Sequence, residues 1–203
     1  MIRKSNLSIL LSSFVAILMM SACSSSKHKA ETTFDEIDSL RAYFLTIEDS
    51  LLYSWNVMIH DDNERISDLS RLLDELKYAN ALDSNIIIDY KEKVNNLKKH
   101  RYYMTKMKSA QIDIYDSISF ALSSEIFRLA LDFQDFGRYP FLNELMDSID
   151  TRESKILRYR LNYDKIAKIH NQFIVDNNTI IDQINADYKH TILPLFELPF
   201  EEQ

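Results

Sequence analysis

Glycine occurs once in the 203 residues, at Gly137, cysteine once, at Cys23, and proline three times, at Pro140, Pro194 and Pro199. Primed hairpin turns and bulges depend on glycine, and no Asn-Gly or Asp-Gly pair exists, so the chain lacks the turn chemistry of a sheet fold. A single glycine also leaves no phosphate-cradling loop and no Gly-x-Ser-x-Gly nucleophile elbow. One cysteine makes no intramolecular disulfide, so the fold must hold by burial alone. Basic residues are outnumbered, 24 Lys and Arg against 31 Asp and Glu, which argues against nucleic acid as the main partner.

What is present begins with a distinct N-terminus. Arg3 and Lys4 precede an apolar run from Leu7 to Met20, broken by Ser8, Ser12 and Ser13, and Ser21-Ala22 lead into Cys23. A basic start, an apolar middle and small residues before a cut site form a secretory signal, and the run is too short and interrupted for a membrane span. Met20-Ser21-Ala22-Cys23 is similar to a bacterial lipobox, in which the thiol is acylated and the peptide is cut between Ala22 and Cys23. Residues 1–22 are thus expected to be a lipoprotein signal peptide and 23–32 a lipidated N-terminus with a polar tether. Two or more acyl chains anchor stably where one does not. Loss of Arg3 and Lys4 would leave 22 basic against 31 acidic side chains. The expected location is the cell membrane or outer membrane, held by lipid on Cys23, with the folded part outside the cytoplasm.

Residues 33–203 read as helical. Ile37, Phe44, Leu51 and Met58 recur every seven residues, with Leu40 and Ile47 beside them; after a phase slip around His60-Asp61-Asp62, Ile66, Leu69, Leu73 and Leu76 continue the stripe. Thr33 and Glu36 have capping-box spacing. The pattern predicts a first helix from about Phe34 to Tyr78, roughly 65 Å long and bent, if anywhere, near Asp61. Asn80, Asp83 and Ser84 mark a turn with Asp83 or Ser84 as the next N-cap. A second stretch should run from Ile86 to about Phe136, breaking if at all near Ser109, with Ile112, Tyr115, Ile118, Leu122, Ile126 and Leu129 inward. Gly137 suits the position past a helix end and Pro140 the first turn of the next. The last helix is expected from Phe141 to Lys189, with Ile149, Ile156, Tyr163, Ile166, Phe173 and Ile180 on its stripe, followed by an apolar, proline-punctuated strap. Long helices and short turns imply an all-α fold, an elongated, coiled-coil-like antiparallel up-and-down bundle of three to four long helices.

Several positions also carry a family resemblance. Tyr139-Pro140, then Glu153, Arg160, Tyr163 and Asn171, and the ending Pro194-Leu195-Phe196-Glu197 resemble the C-terminal half of the LemA family, and Trp55, Arg65 and Leu72 are similar to its first-helix stretch. The chain departs from that pattern at Ser70-Arg71-Leu72, at Asp164 and in a shorter run from Tyr139-Pro140 to Glu153. The resemblance implies an envelope-anchored helical bundle of unsettled biochemical role, with the lipidated Cys23 replacing the membrane helix usual in the family.

Candidate chemistry is sparse. A bundle di-iron site needs paired Glu-x-x-His motifs; the chain has none, only Asp187-Tyr188-Lys189-His190 and the contiguous His60-Asp61-Asp62, so no metal and no cofactor are expected. Asp61/Asp62 and Asp74/Glu75 read as solvated helix faces, and no residue set predicts an enzyme. Glu153 and Arg160, seven apart with Tyr163 and Asn171 along one stripe edge, form either a buried network that sets helix register or a groove for a partner. Lys91, Lys93, Lys98, Lys99, His100, Arg101, Lys106 and Lys108 make a basic run that reads as one helix's solvated face or a contact for lipid or an acidic partner. Trp55 is expected in the core. The leading expectation is a non-catalytic scaffold or docking protein with a protein partner in the envelope; the alternative is a ligand- or lipid-binding protein with a cleft between helices.

Overall fold

The computed structural model describes residues 34–185 and 191–196. The signal, the Ala22/Cys23 cut site, the tether, Thr33, the Asp187–His190 motif and Glu197 lie outside them. The chain divides into two units, Met1–Glu36 and Ile37–Gln203, and the contacts below lie within the second. Every regular element among the described residues is helical: α1 (Phe34–Tyr78), α2 (Ser84–Leu97), α3 (Ser109–Leu131), α4 (Pro140–Asp176) and a single turn, α5 (Ile181–Ile184), with 3₁₀ turns at Lys98–His100 and Phe136–Arg138. No helix among them is long and apolar enough to cross a membrane.

Local chemistry accounts for the ends. Asn80 adopts φ 53°, tolerable for asparagine in the left-handed region. Its N–H donates to Lys77 O at 3.1 Å and the Ala81 N–H to Leu76 O at 3.0 Å, the paired bonds of a Schellman ending. Asp83 then caps α2, its carboxylate accepting from the Asn85 N–H at 2.7 Å. Pro140 sits in the first turn of α4, where its missing N–H has no cost.

Three boundaries differ from the periodicity. The second stretch does break, and the new helix begins at Ser109 as expected, but the preceding one already stops at Leu97; in the interval Arg101 reaches Asp62 and Tyr102 accepts from Arg160. α3 stops at Leu131 instead of Phe136, and Phe133 and Phe136 pack sideways on the core. Gly137 therefore lies in a 3₁₀ turn without positive φ and does not end a helix. α4 stops at Asp176, well before Lys189, where Asn177 donates both its backbone N–H and its Nδ2 to Phe173 O. The chain then turns so that Ile181 and Ile184 are buried with Phe44, Ile47 and Phe173. Arg41 finishes the turn, donating from Nε to Ile184 O and from Nη2 to Gln183 O.

Contacts between α1 and α4 proceed in opposite order along the chain. Phe44 stacks on Phe173 with centroids 5.0 Å apart, Trp55 meets Tyr163 at 5.4 Å, Arg65 reaches Glu153 at 3.1 Å and Asp68 accepts from Ser148 at 2.8 Å. The core has three sections. An aliphatic one holds Leu69, Leu72, Leu73, Leu76, Leu97, Ile126 and Leu142. An aromatic one holds Met58, Tyr102, Tyr115, Tyr163 and Phe196, with Trp55 half-buried against it. The third is the Phe44–Ile184 cluster. Ile118, expected inside, is exposed, and Ser119 takes the buried position beside it.

Candidate functional site

Between the aliphatic and aromatic sections the inward stripes turn polar. On α1, Leu51, Met58, Leu69 and Leu76 are joined by Ser54, Asp62, Arg65 and Leu72 in an unbroken series of three- and four-residue steps. Asp62 is 8 % exposed and Arg65 5 %. The solvated-face expectation for Asp61/Asp62 is therefore wrong: Asp62 is interior and Asp61 half-buried, facing Arg152. The phase slip around His60–Asp62 is the trace of this insertion, since two charged residues occupy core positions where the apolar heptad lapses.

Asp62 is the hub. Its Oδ1 accepts from Arg65 Nη2 at 2.8 Å, and its Oδ2 accepts from Arg101 Nη2 and the Tyr115 hydroxyl, each at 2.5 Å. Arg65 further reaches Glu153 Oε1 at 3.1 Å, with Ser123 and Tyr115 at 3.4 Å, so both its Nη atoms and its Nε face acceptors. Ser123 donates to the same Glu153 oxygen at 2.7 Å. Arg152 pairs with Asp61 at 2.7 Å. Burying single charges is costly, and only such mutual pairing makes the layer tolerable.

Glu153 and Arg160, predicted as a pair, do not touch one another through any hydrogen bond. Glu153 serves Arg65, while Arg160 grips both oxygens of Asp116 at 2.6 and 2.7 Å and donates to the Tyr102 hydroxyl at 3.1 Å. Its guanidinium also lies over the Phe196 ring at 5.1 Å. Further along α4, Tyr163 donates to Pro194 O at 3.2 Å, and Asn171 clamps Leu193 with two bonds of 2.8 Å, one from its Nδ2 to the carbonyl and one to its Oδ1 from the N–H. Asp164 accepts from the Phe196 N–H at 2.9 Å. The four residues singled out on α4 thus divide: two serve the charged layer and two hold the 191–196 strap, which is irregular and buries Leu193 and Phe196 as expected of a packed strap.

Burial would lower the Arg65 and Arg160 pKa values, but Asp62 for the first and Asp116 for the second outweigh it, and both end above the ordinary guanidinium value. Burial raises Tyr115, reinforced by Asp62, and likewise Tyr102 and Tyr163. Each shift leads away from neutrality. On α4, His170 is fully buried beside Phe44, and burial lowers its pKa, partly opposed by its contact with Asn171.

The basic run is not one helix face. It spans the end of α2, a 3₁₀ turn, an irregular loop and the start of α3. Lys91 pairs with Asp74, Lys93 with Asp89 at 2.8 Å, and Arg101 enters the charged layer, while Lys98, Lys99, His100, Lys106 and Lys108 are exposed.

Beside the layer lies a cleft of about 240 Å³ whose lining includes the polar residues Asp61, Ser119 and Glu153 and the apolar residues Phe120 and Ile156. Sequence reading missed Asp62, Tyr115, Asp116 and Arg152; the usable signal was the unbroken three- and four-residue spacing through Met58, Asp62, Arg65 and Leu69. Among the described residues no group of three or more His, Cys, Asp and Glu is placed to hold a metal ion. No family model, no curated protein and no solved structure matches the chain.

Proposed function

We propose that this chain is a LemA-like envelope lipoprotein, anchored by lipid on Cys23, whose antiparallel up-and-down bundle is a non-catalytic scaffold or docking body for an envelope protein partner. The observation that carries the reading is the use made of the resemblance positions. Tyr163 and Asn171 hold the backbone of Leu193 and Pro194, so the two separated pieces of the motif, the α4 residues and the Pro-x-Phe ending, explain one another as a single structural lock. Arg65 and Arg160 are held in internal pairs, the first by one oxygen of Glu153 and the second by Asp116. A general acid or base works best with a pKa near the working pH, and the shifted tyrosines and arginines of the layer move the other way. Such a layer fixes register.

Cell fractionation tests the anchor. Blocking lipoprotein signal cleavage should accumulate the precursor, and Cys23→Ala should move the protein from the membrane to the soluble fraction. Unchanged membrane association of that variant would end the proposal. Proximity crosslinking in living cells tests docking, which requires a recurrent protein partner captured from the bundle surface.

A second reading, a ligand-binding bundle, is favoured by one observation: the cleft of about 240 Å³, which joins apolar walls to convergent polar groups, the ordinary make-up of a small-molecule site.

A further inference from the structure

The cleft can be read for its unmet valences. Its lining includes three arginines, Arg65, Arg152 and Arg160, which would invite an anion if they were free. They are not free. Arg65 is held by Asp62 and Glu153, Arg152 by Asp61, and Arg160 by both oxygens of Asp116. The Nε atoms of Arg152 and Arg160 make no hydrogen bond but are buried out of reach.

The groups left over are acceptors. Arg152 uses only Oδ1 of Asp61, and Arg65 and Ser123 share only Oε1 of Glu153, so Asp61 Oδ2 and Glu153 Oε2 make no hydrogen bond among the described residues. Ser119, only 6 % exposed, lines the cleft, and its hydroxyl likewise has no partner among them. Its oxygen is not sealed from solvent, and on the lining of the cleft it is available to a ligand. Four carboxylates, Asp61, Asp62, Asp116 and Glu153, stand against the three arginines on this lining. Phe120, 67 % exposed, and Ile156 complete it with apolar surface.

We infer that this cleft binds a primary ammonium group carried on a short apolar stem, the head donating to Asp61, Glu153 and Ser119 and the stem lying along Phe120 and Ile156. An ammonium offers three donors and no acceptor, which matches three unfilled acceptors. The cleft is smaller than the roughly 300–1,000 Å³ of drug-sized sites, so the ligand is about the size of one amino acid. A free alkylamine and the lysine side chain of a partner peptide share this chemistry. The inference rests on the cleft reading and is independent of the anchor.

The test is isothermal titration of the full chain in detergent micelles with n-pentylamine, Nα-acetyl-lysine amide, its Nε-acetylated neutral form and hexanoate. Saturable one-to-one binding of the two amines, with none of the neutral compound or the anion, is expected. Pentylamine as the tighter ligand assigns a free amine, and the lysine amide as the tighter one assigns a partner's lysine. Glu153→Gln should weaken binding about tenfold, as loss of a charged hydrogen-bond partner does. Because that change also touches Arg65, Phe120→Ala, at an exposed wall, is the second variant; it should weaken the amines without altering the far-ultraviolet circular dichroism. Hexanoate binding in place of the amines would overturn the ammonium assignment and leave the cleft reading standing. Amine binding unaffected by either variant would overturn the site, and no binding of any probe by the folded chain would overturn both readings.

Discussion

The aliphatic section of the core and the charged layer beside it are built on the same three long helices by different physics. In the first, Leu69, Leu72, Leu73 and Leu76 of α1 meet Leu142 and Ile149 of α4 and Ile126 of α3, all at or near complete burial. These contacts are non-directional and scale with buried area, about 25 cal/mol per Å². In the layer, Asp62, Arg65, Tyr115, Ser123 and Glu153 meet one another, and Arg160 meets Asp116, through bonds of 2.5–3.4 Å with defined donors and acceptors. A leucine stripe shifted by one turn still finds leucines. The layer shifted by one turn leaves Asp62 and Arg65 without α3 and α4 partners. Stability is thus concentrated in one region and register in the other.

The largest expected effect comes from breaking the layer on one side. Arg65→Met takes from Asp62 and Glu153 the cation they share, leaving Asp62 to Arg101 and Tyr115 and Glu153 to Ser123, and should cost about 3–5 kcal/mol, read by urea denaturation. Adding Asp62→Leu removes the second charge but leaves Arg101 and the Tyr115 hydroxyl without their acceptor, so the double variant should recover only part of that loss while broadening backbone amide signals in NMR, as register becomes less defined; full recovery with unchanged spectra would remove the assigned difference between the two regions. Next is Leu73→Ala in the aliphatic section, expected to cost about 2–5 kcal/mol without broadening. Asn171→Ala releases Leu193 from both of its bonds and should cost about 1–3 kcal/mol, with faster amide exchange at Leu193 and Phe196; exchange that stayed slow would show that burial alone holds the strap. Asp83→Ala removes the α2 cap for about 1 kcal/mol, and a loss near zero would place the end of α2 outside the cooperative core.

The smallest is a pH effect at His170. Its pKa in the fold lies below the ordinary 6.5, so the unfolded chain takes up a proton first. Stability present above about pH 6.5 is therefore eroded as pH falls from there through the lowered value in the fold. Melting temperatures at pH 7.5 and 5.5 should differ less in His170→Gln than in the parent chain. An equal difference in the two proteins would assign the pH dependence elsewhere.

The regions also differ in how far they could be read beforehand. The leucine and isoleucine stripe repeats at heptad spacing, so the aliphatic section and the bounds of α1 are visible in the amino-acid pattern. Asp62 and Arg65 were hidden because charge on a long helix ordinarily means solvent, and only partners on two other helices reverse that. Glu153 and Arg160 stood out, but as a pair; neighbours on one helix stripe turned out to face different partners, Arg65 and Asp116. The stop at Leu97 was equally hidden, and the residues that follow it meet distant partners, Arg101 with Asp62 and Tyr102 with Arg160.

Composition and periodicity alone determined that the described chain is helical, where α1 lies, that Asp83 caps and Pro140 opens a helix, and that the Pro194-Leu195-Phe196 segment packs. Those features depend on residues within a few positions of one another, or on hydrophobicity that needs no particular partner. Tertiary structure decided which charges are interior, where the second and last helices stop, and that a cleft with unfilled acceptors opens beside the layer. Each of these depends on groups 30 to 91 residues apart, such as Asp62 with Arg101, Ser123 with Glu153 and Asp61 with Arg152, and no local pattern records such pairings.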